Sequence, residues 1–130
     1  MADQLILIIE DNERNLKLVR DVLQFSGFRT AEARTAEDGL ALASASPPDL
    51  VLLDLQLPGI DGIEAFRQLR GSPQTAAIPV VAVTALAMKD DRERVLRAGF
   101  DGYLEKPISV RTLPDQVRAF LTAAELPDDR

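Results

Sequence analysis

The sequence predicts an α/β fold of (βα)5 form, an open parallel sheet with helices on both faces. Short apolar runs alternate with amphipathic segments along the whole chain, as a layered α/β architecture requires. The runs at 5 to 9, 50 to 53 and 79 to 83 are hydrophobic almost throughout, as strands covered on both faces must be. Several runs end on a polar or charged group: Glu10-Asp11, Asp54, Thr84 and Lys106. Open α/β sheets gather their ligands at the carboxyl ends of their strands.

The first strand, 5 to 9, is followed by a helix on which Leu16, Val19 and Leu23 repeat at helical spacing. Asn12 serves as its N-cap, and Gly27 can take the left-handed position that ends it. The second strand, 29 to 33, alternates in polarity and suits a sheet edge with one wetter face. Thr35 then precedes Asp38 by three residues, a capping box with the shorter acid. Leu40 and Ala43 continue that helix's apolar face until Pro47-Pro48 stop it.

After the third strand, 50 to 53, Asp61 caps a helix with Glu64 at its third position and Ile63, Phe66 and Leu69 facing inward. Gly71-Ser72-Pro73 mark its end. The fourth strand, 79 to 83, leads to a helix over 88 to 98 that ends at Gly99, with Val95 and Ala98 inward. Its mixed Lys89, Arg92, Arg94, Arg97, Asp90, Asp91 and Glu93 read as a solvated face. The last strand is 102 to 105, and the last helix starts near Ser109 and runs through Leu113, Val117, Phe120 and Leu121. Pro114 is tolerable only in a first turn, so that helix either holds it there or begins one or two residues later. We expect one domain over 1 to 122 and a short acidic tail over 123 to 130.

A chain of 130 residues is long enough to bury a core without disulfides or a structural metal. The absence of Cys and His removes thiolate catalysis, disulfides and the commonest general base and transition-metal ligand. Any metal must be hard and oxygen-liganded. A net charge of −6 argues against direct nucleic-acid binding. The start carries no signal-peptide pattern and no apolar stretch approaches bilayer length, so a cytoplasmic protein without membrane attachment is expected.

Right-handed crossovers with helices on both faces give strand order 2-1-3-4-5, the flavodoxin-like doubly wound arrangement. That order sets the first and third strands side by side, so Glu10, Asp11 and Asp54 converge. Acids crowded together repel, and a divalent cation relieves the repulsion. Mg²⁺ fits such an oxygen-only set, with Asp11 and Asp54 as direct ligands, Glu10 direct or through water, and the Gln56 carbonyl as a further oxygen. Lys106 reads as a salt-bridge partner of Asp54 or as a charge that follows a phosphoryl group; Thr84 reads as a satisfied hydroxyl or as a donor to such a group. In the functional reading Asp54 attacks a phosphoryl group and forms an acyl phosphate. A cis bond before Pro107 would aim Lys106 into the cleft, although most X-Pro bonds in folded proteins are trans.

Together Ile8-Ile9-Glu10-Asp11-Asn12, the stretch from Val51 through Asp54 to Gly62, Thr84-Ala85 and Lys106-Pro107 resemble the receiver domains of two-component response regulators, over residues 5 to 122. The resemblance implies Asp54 as phosphoacceptor, Glu10 and Asp11 as the metal pair, Thr84 as switch hydroxyl, Lys106 as its basic partner, and a cis bond before Pro107. It makes Tyr103 the aromatic that turns inward when Thr84 moves, and places Gln56 and Leu86 at positions that tune dephosphorylation. It further implies a phosphohistidine donor, either a histidine kinase or a histidine phosphotransfer protein. Output by protein contact is expected through residues 85 to 105 and the last helix, with phosphotransfer and autodephosphorylation in place of enzymatic turnover. The rival is a phosphorylation-independent adaptor on the same fold. A phosphatase of the haloacid dehalogenase kind lacks support, since Asp54-Leu55-Gln56 offers no second carboxylate as general acid. No Gly-rich loop follows the first strand, which weakens a nucleotide-binding reading.

Overall fold

Among the described residues ten elements alternate strictly: β1 (Leu5–Ile9), α1 (Glu13–Phe25), β2 (Arg29–Ala33), α2 (Ala36–Ala45), β3 (Leu50–Asp54), α3 (Gly62–Gly71), β4 (Val80–Thr84), α4 (Lys89–Ala98), β5 (Gly102–Glu105) and α5 (Leu113–Glu125). The computed structural model describes residues 4–57, 62–85 and 89–125, with the backbone alone for residues 89–91 and 125. The strands form one parallel sheet in the order β2-β1-β3-β4-β5, the flavodoxin-like order expected. The edge position of β2 fits its mixed exposure, whereas β3 and β4 are buried along their whole length.

Strand alternation divides the core into two layers. Leu7, Ile9, Val51, Leu53, Val80 and Ala82 point toward α2, α3 and α4, meeting Ala43, Phe66, Leu69 and Val95. Ile6, Ile8, Leu50, Leu52, Val81 and Val83 point the other way, meeting Leu16, Val19 and Leu23 of α1 and Leu113, Val117 and Leu121 of α5. A strand covered on both faces cannot alternate in polarity, which is why these runs are legible in the sequence.

The helix ends follow local chemistry. Asn12 Oδ1 accepts the Asn15 N–H at 3.0 Å, and Thr35 Oγ1 accepts the Asp38 N–H at 3.0 Å. Gly27 takes φ 98° just past α1, and Gly99 takes φ 110° just past α4, both in the left-handed region that suits glycine. At the end of the sheet where strands begin, the Arg70 guanidinium donates to Ile78 O at 2.6 Å and to Asp101 Oδ2 at 2.7 Å. The same Asp101 oxygen accepts the Val80 N–H, so one ion pair ties α3 to β4 and to the turn before β5.

Some expected boundaries shift. α5 begins at Leu113, not near Ser109. Proline has no N–H to donate to Val110, and its ring would collide with that carbonyl inside a helix, so the helix starts where Pro114 falls in the first turn. It then continues through Ala123 and Ala124 to Glu125, all strong helix formers, past the expected limit at 122. Ala98 is exposed, because the last turn of α4 has passed beyond the core that Val95 still reaches. β3 and β4 each extend to include Asp54 and Thr84. The expected Asp61 cap, Met88 at the start of the fourth helix, Leu86 and the tail beyond 125 lie outside the described residues.

Gly102 lets α5 approach β5 closely, since a Cβ there would overlap the Phe120 ring of α5. Gly102→Ala is therefore expected to destabilise the fold by about 1–3 kcal/mol through overpacking, measured by thermal unfolding. An unchanged midpoint would mean that α5 can shift outward at little cost.

Candidate functional site

The site begins with strand register. Leu53 pairs with Ile9 and Asp54 pairs with Val83, so the carboxyl ends of β1, β3 and β4 lie level. The Glu10 N–H donates to Ala33 O at 3.0 Å, fixing the main chain one residue past β1. The Lys106 N–H donates to Thr84 O at 2.9 Å, carrying the strand-end alignment on to β5. Lys106 and Pro107 are joined by a cis peptide bond.

Glu10, Asp11 and Asp54 each offer a carboxylate oxygen, and these oxygens lie within 4.8 Å of one another. Glu10 and Asp54 are buried and Asp11 is half-buried. The Lys106 ammonium stands 3.1 Å from Asp54 Oδ2 and 3.7 Å from Glu10 Oε1. Asp54 Oδ1 accepts the Gln56 N–H at 2.9 Å, and Glu10 Oε2 accepts the Asn12 N–H at 3.1 Å. Each buried acid thus has one oxygen tied by the N–H two residues downstream and its other oxygen turned toward Lys106.

Asp54 Oδ2 is buried and, among the described residues, accepts no hydrogen bond. The ammonium beside it supplies charge at short range, but its approach lacks hydrogen-bond alignment. Burial pushes the Glu10 carboxyl up from 4.5 to about 7. The neighbouring Asp54 carboxylate adds to that rise, while the Asn12 N–H and Lys106 oppose it. A donor set made only of oxygen, with an orphaned buried carboxylate atom and two acids sharing one cation, fits a hard divalent ion.

Thr84 is buried at the end of β4, and Tyr103 is half-buried on β5 against the α2, α3 and α4 side of the core. Tyr103 pairs with Ala82, two residues before Thr84 on its strand, so the two side chains belong to the same face of the sheet. The Gln56 side chain is exposed. A cleft of about 330 Å³ opens beside the acids, lined by Glu10, Asn15, Ala85, Lys106, Pro107 and Ile108. Sequence reasoning did not single out Asn15 or Ile108 for the site. Neither carries a chemical signal, and it is the first turn of α1 and the loop after Pro107 that bring them there.

The family model for the response regulator receiver domain matches residues 6–118. The chain is 42% identical over 116 residues to the polar-differentiation response regulator DivK of Brucella ovis, covering 89% of this chain and 94% of that protein. DivK of Brucella anthropi matches to the same extent. Among solved structures, a response regulator from Chloroflexus aurantiacus superposes with a TM-score of 0.86 at 28% identity, covering 92% of this chain and 98% of that one. The receiver domain of the sensor histidine kinase PA1611 from Pseudomonas aeruginosa superposes with a TM-score of 0.84 at 31% identity over 92% of this chain and 98% of that one. That structure holds a magnesium ion in its active-site cleft.

Proposed function

This chain belongs to the family of response regulator receiver domains, and from that premise we propose that it takes a phosphoryl group onto Asp54 from the phosphohistidine of a histidine kinase or a histidine phosphotransfer protein. The family's chemistry is phosphotransfer and autodephosphorylation, not substrate turnover. The observation that carries the assignment is Asp54 Oδ2, buried, without a hydrogen bond among the described residues and 3.1 Å from an ammonium. A carboxylate oxygen not tied into an aligned hydrogen bond retains its nucleophilicity, and a nearby cation receives the charge that a phosphoryl group brings.

Asp54 Oδ2 forms the new O–P bond while the P–N bond to the donor imidazole breaks, and the bonding pair returns to the ring nitrogen. The Gln56 N–H holds Oδ1 so that Oδ2 faces the incoming phosphorus. Lys106 exchanges the carboxylate for a phosphoryl oxygen, and the Thr84 hydroxyl donates to another. Glu10, Asp11, Asp54 and the Gln56 carbonyl would hold Mg²⁺, which when bound neutralises charge on the phosphoryl oxygens. Tyr103 then follows Thr84 inward and alters the face formed by β5 and α5, through which output by protein contact, together with segment 85 to 105, is proposed. On that face a groove of about 360 Å³ lined by Tyr103, Glu105, Pro107, Ser109, Thr112 and Gln116 suits a protein target. The net charge of −6 favours such a target over nucleic acid. Among the described residues no helix is long and apolar enough to cross a membrane, in keeping with action in the cytoplasm.

Acetyl phosphate with and without Mg²⁺, read by intact mass, tests this. The expected result is a Mg²⁺-dependent phosphoryl adduct that is absent from Asp54→Asn. A folded wild-type protein that gains no adduct under conditions that modify a known receiver would move the assignment to a phosphorylation-independent adaptor.

A further inference from the structure

We infer that Asn12 is a positioning residue for the metal site, acting through Glu10; this rests on the reading of Glu10 as a metal ligand given above. Glutamate carries one more rotatable bond than aspartate, and holding its carboxylate at a buried position costs side-chain entropy. The bond from the Glu10 N–H to Ala33 O anchors the main chain and leaves the side chain free to turn. What fixes the carboxylate is the Asn12 N–H, which donates to Oε2 at 3.1 Å. Oε1 is thereby left facing the cluster, 3.7 Å from the Lys106 ammonium. The two oxygens have separate duties, one tied and one presented.

The Asn12 N–H belongs to the peptide plane between Asp11 and Asn12, and that plane is held from its far side by the Asn12 side chain. Asn12 is extended at φ −82° and ψ 115°, its Oδ1 accepts the Asn15 N–H at 3.0 Å, and its carbonyl accepts the Leu16 N–H at 2.9 Å. The capping bond therefore sets where α1 starts, and with it where the N–H that holds Glu10 stands. Asp54 is tied by the same two-residue device through Gln56, but Asp54 is the last residue of a buried strand and the Gln56 side chain is exposed. At the Glu10 turn a side chain outside the acid cluster governs how an acid is presented.

Calorimetric Mg²⁺ titration of the full chain separates this role from plain helix capping. Asn12→Ala is expected to weaken Mg²⁺ binding about tenfold, the low end for groups that orient a metal ligand. Asn12→Gly, which costs a cap little stability, should show the same loss while remaining folded. Asn12→Ser keeps a capping oxygen and should stay within about twofold of wild type. Thr35→Ala removes the corresponding cap of α2, so it should lower the unfolding midpoint and leave Mg²⁺ affinity unchanged. Mg²⁺ affinity equal to wild type in both Asn12→Ala and Asn12→Gly would reduce Asn12 to an ordinary cap. A wild-type chain that binds no Mg²⁺ refutes the metal site itself, and this assignment with it; that failure is told apart by being visible before any variant is made.

Discussion

Replacing Lys106 with Met is expected to slow phosphorylation of Asp54 by about 10²–10³-fold, the usual cost of deleting one charge-stabilising donor from a water-poor site. Methionine retains the length and most of the volume of the stem, so the change isolates the ammonium. That ammonium lies 3.1 Å from Asp54 and 3.7 Å from Glu10, and its removal leaves two buried acids facing one another. Without Mg²⁺ at pH 8 the variant should also lose about 3 kcal/mol of stability, the low end for a broken buried pair, since the Lys106 side chain keeps 20% exposure. Mg²⁺ should restore much of that stability but little of the rate, because the ion relieves the acids without replacing the group that follows the phosphate. Initial rates with acetyl phosphate and thermal unfolding in both ion conditions read the two effects. A rate equal to wild type would confine Lys106 to the structural salt bridge that it already forms. Arginine is not a neutral replacement either, since its planar fork cannot occupy the volume of a compact ammonium.

Lys106 and the acids were legible in the sequence for the reason the sheet was. A buried parallel strand must be continuously apolar, so a charge at its end is conspicuous, and Asp54 after Leu50-Val51-Leu52-Leu53 stands out on that ground alone. The first helix was equally plain because Asn12 and Gly27 punctuate both of its ends. Ala98 was misjudged because helical periodicity gives a direction and not the extent of the core beneath it. The start of α5 was misjudged because Ser109 to Thr112 tolerate a helix and only Pro114 argues against one. Least legible were the tethers of Asp54 and Glu10, which are backbone N–H groups and have no residue type to betray them. The same holds for Asn15 and Ile108, ordinary residues that the first turn of α1 and the loop after Pro107 bring to the cleft.

The second large effect is a fall in stability with rising pH, and it follows from Glu10. Burial raises its carboxyl from 4.5 to about 7, so between those values the folded state holds a proton that the unfolded chain has released. Stability then declines wherever the folded state binds more protons than the unfolded one. The contribution is complete below pH 4.5 and is lost as pH passes through about 7. A shift of this size corresponds to roughly 3–4 kcal/mol at one pKa unit per 1.36 kcal/mol, or about 10–15 °C in the unfolding midpoint of a domain this long. Glu10→Gln removes the titrating group, so the difference between wild type and this variant isolates the slope from the other carboxylates of the chain. Glu10→Gln should be the more stable of the two at pH 8 without metal, and the gap should close toward pH 5. Mg²⁺ bound as proposed would need the ionised carboxylates and compete with the proton, so its stabilising effect on wild type should be large at pH 8 and small at pH 5. Parallel pH profiles for wild type and Glu10→Gln would mean that Glu10 is already ionised in the folded state at low pH, with Lys106 outweighing the cost of burial. The same competition gives the site a functional window: phosphorylation that depends on Mg²⁺ should rise with pH across the interval in which the protein loses stability. The strain of three crowded acids would then be what makes the ion bind.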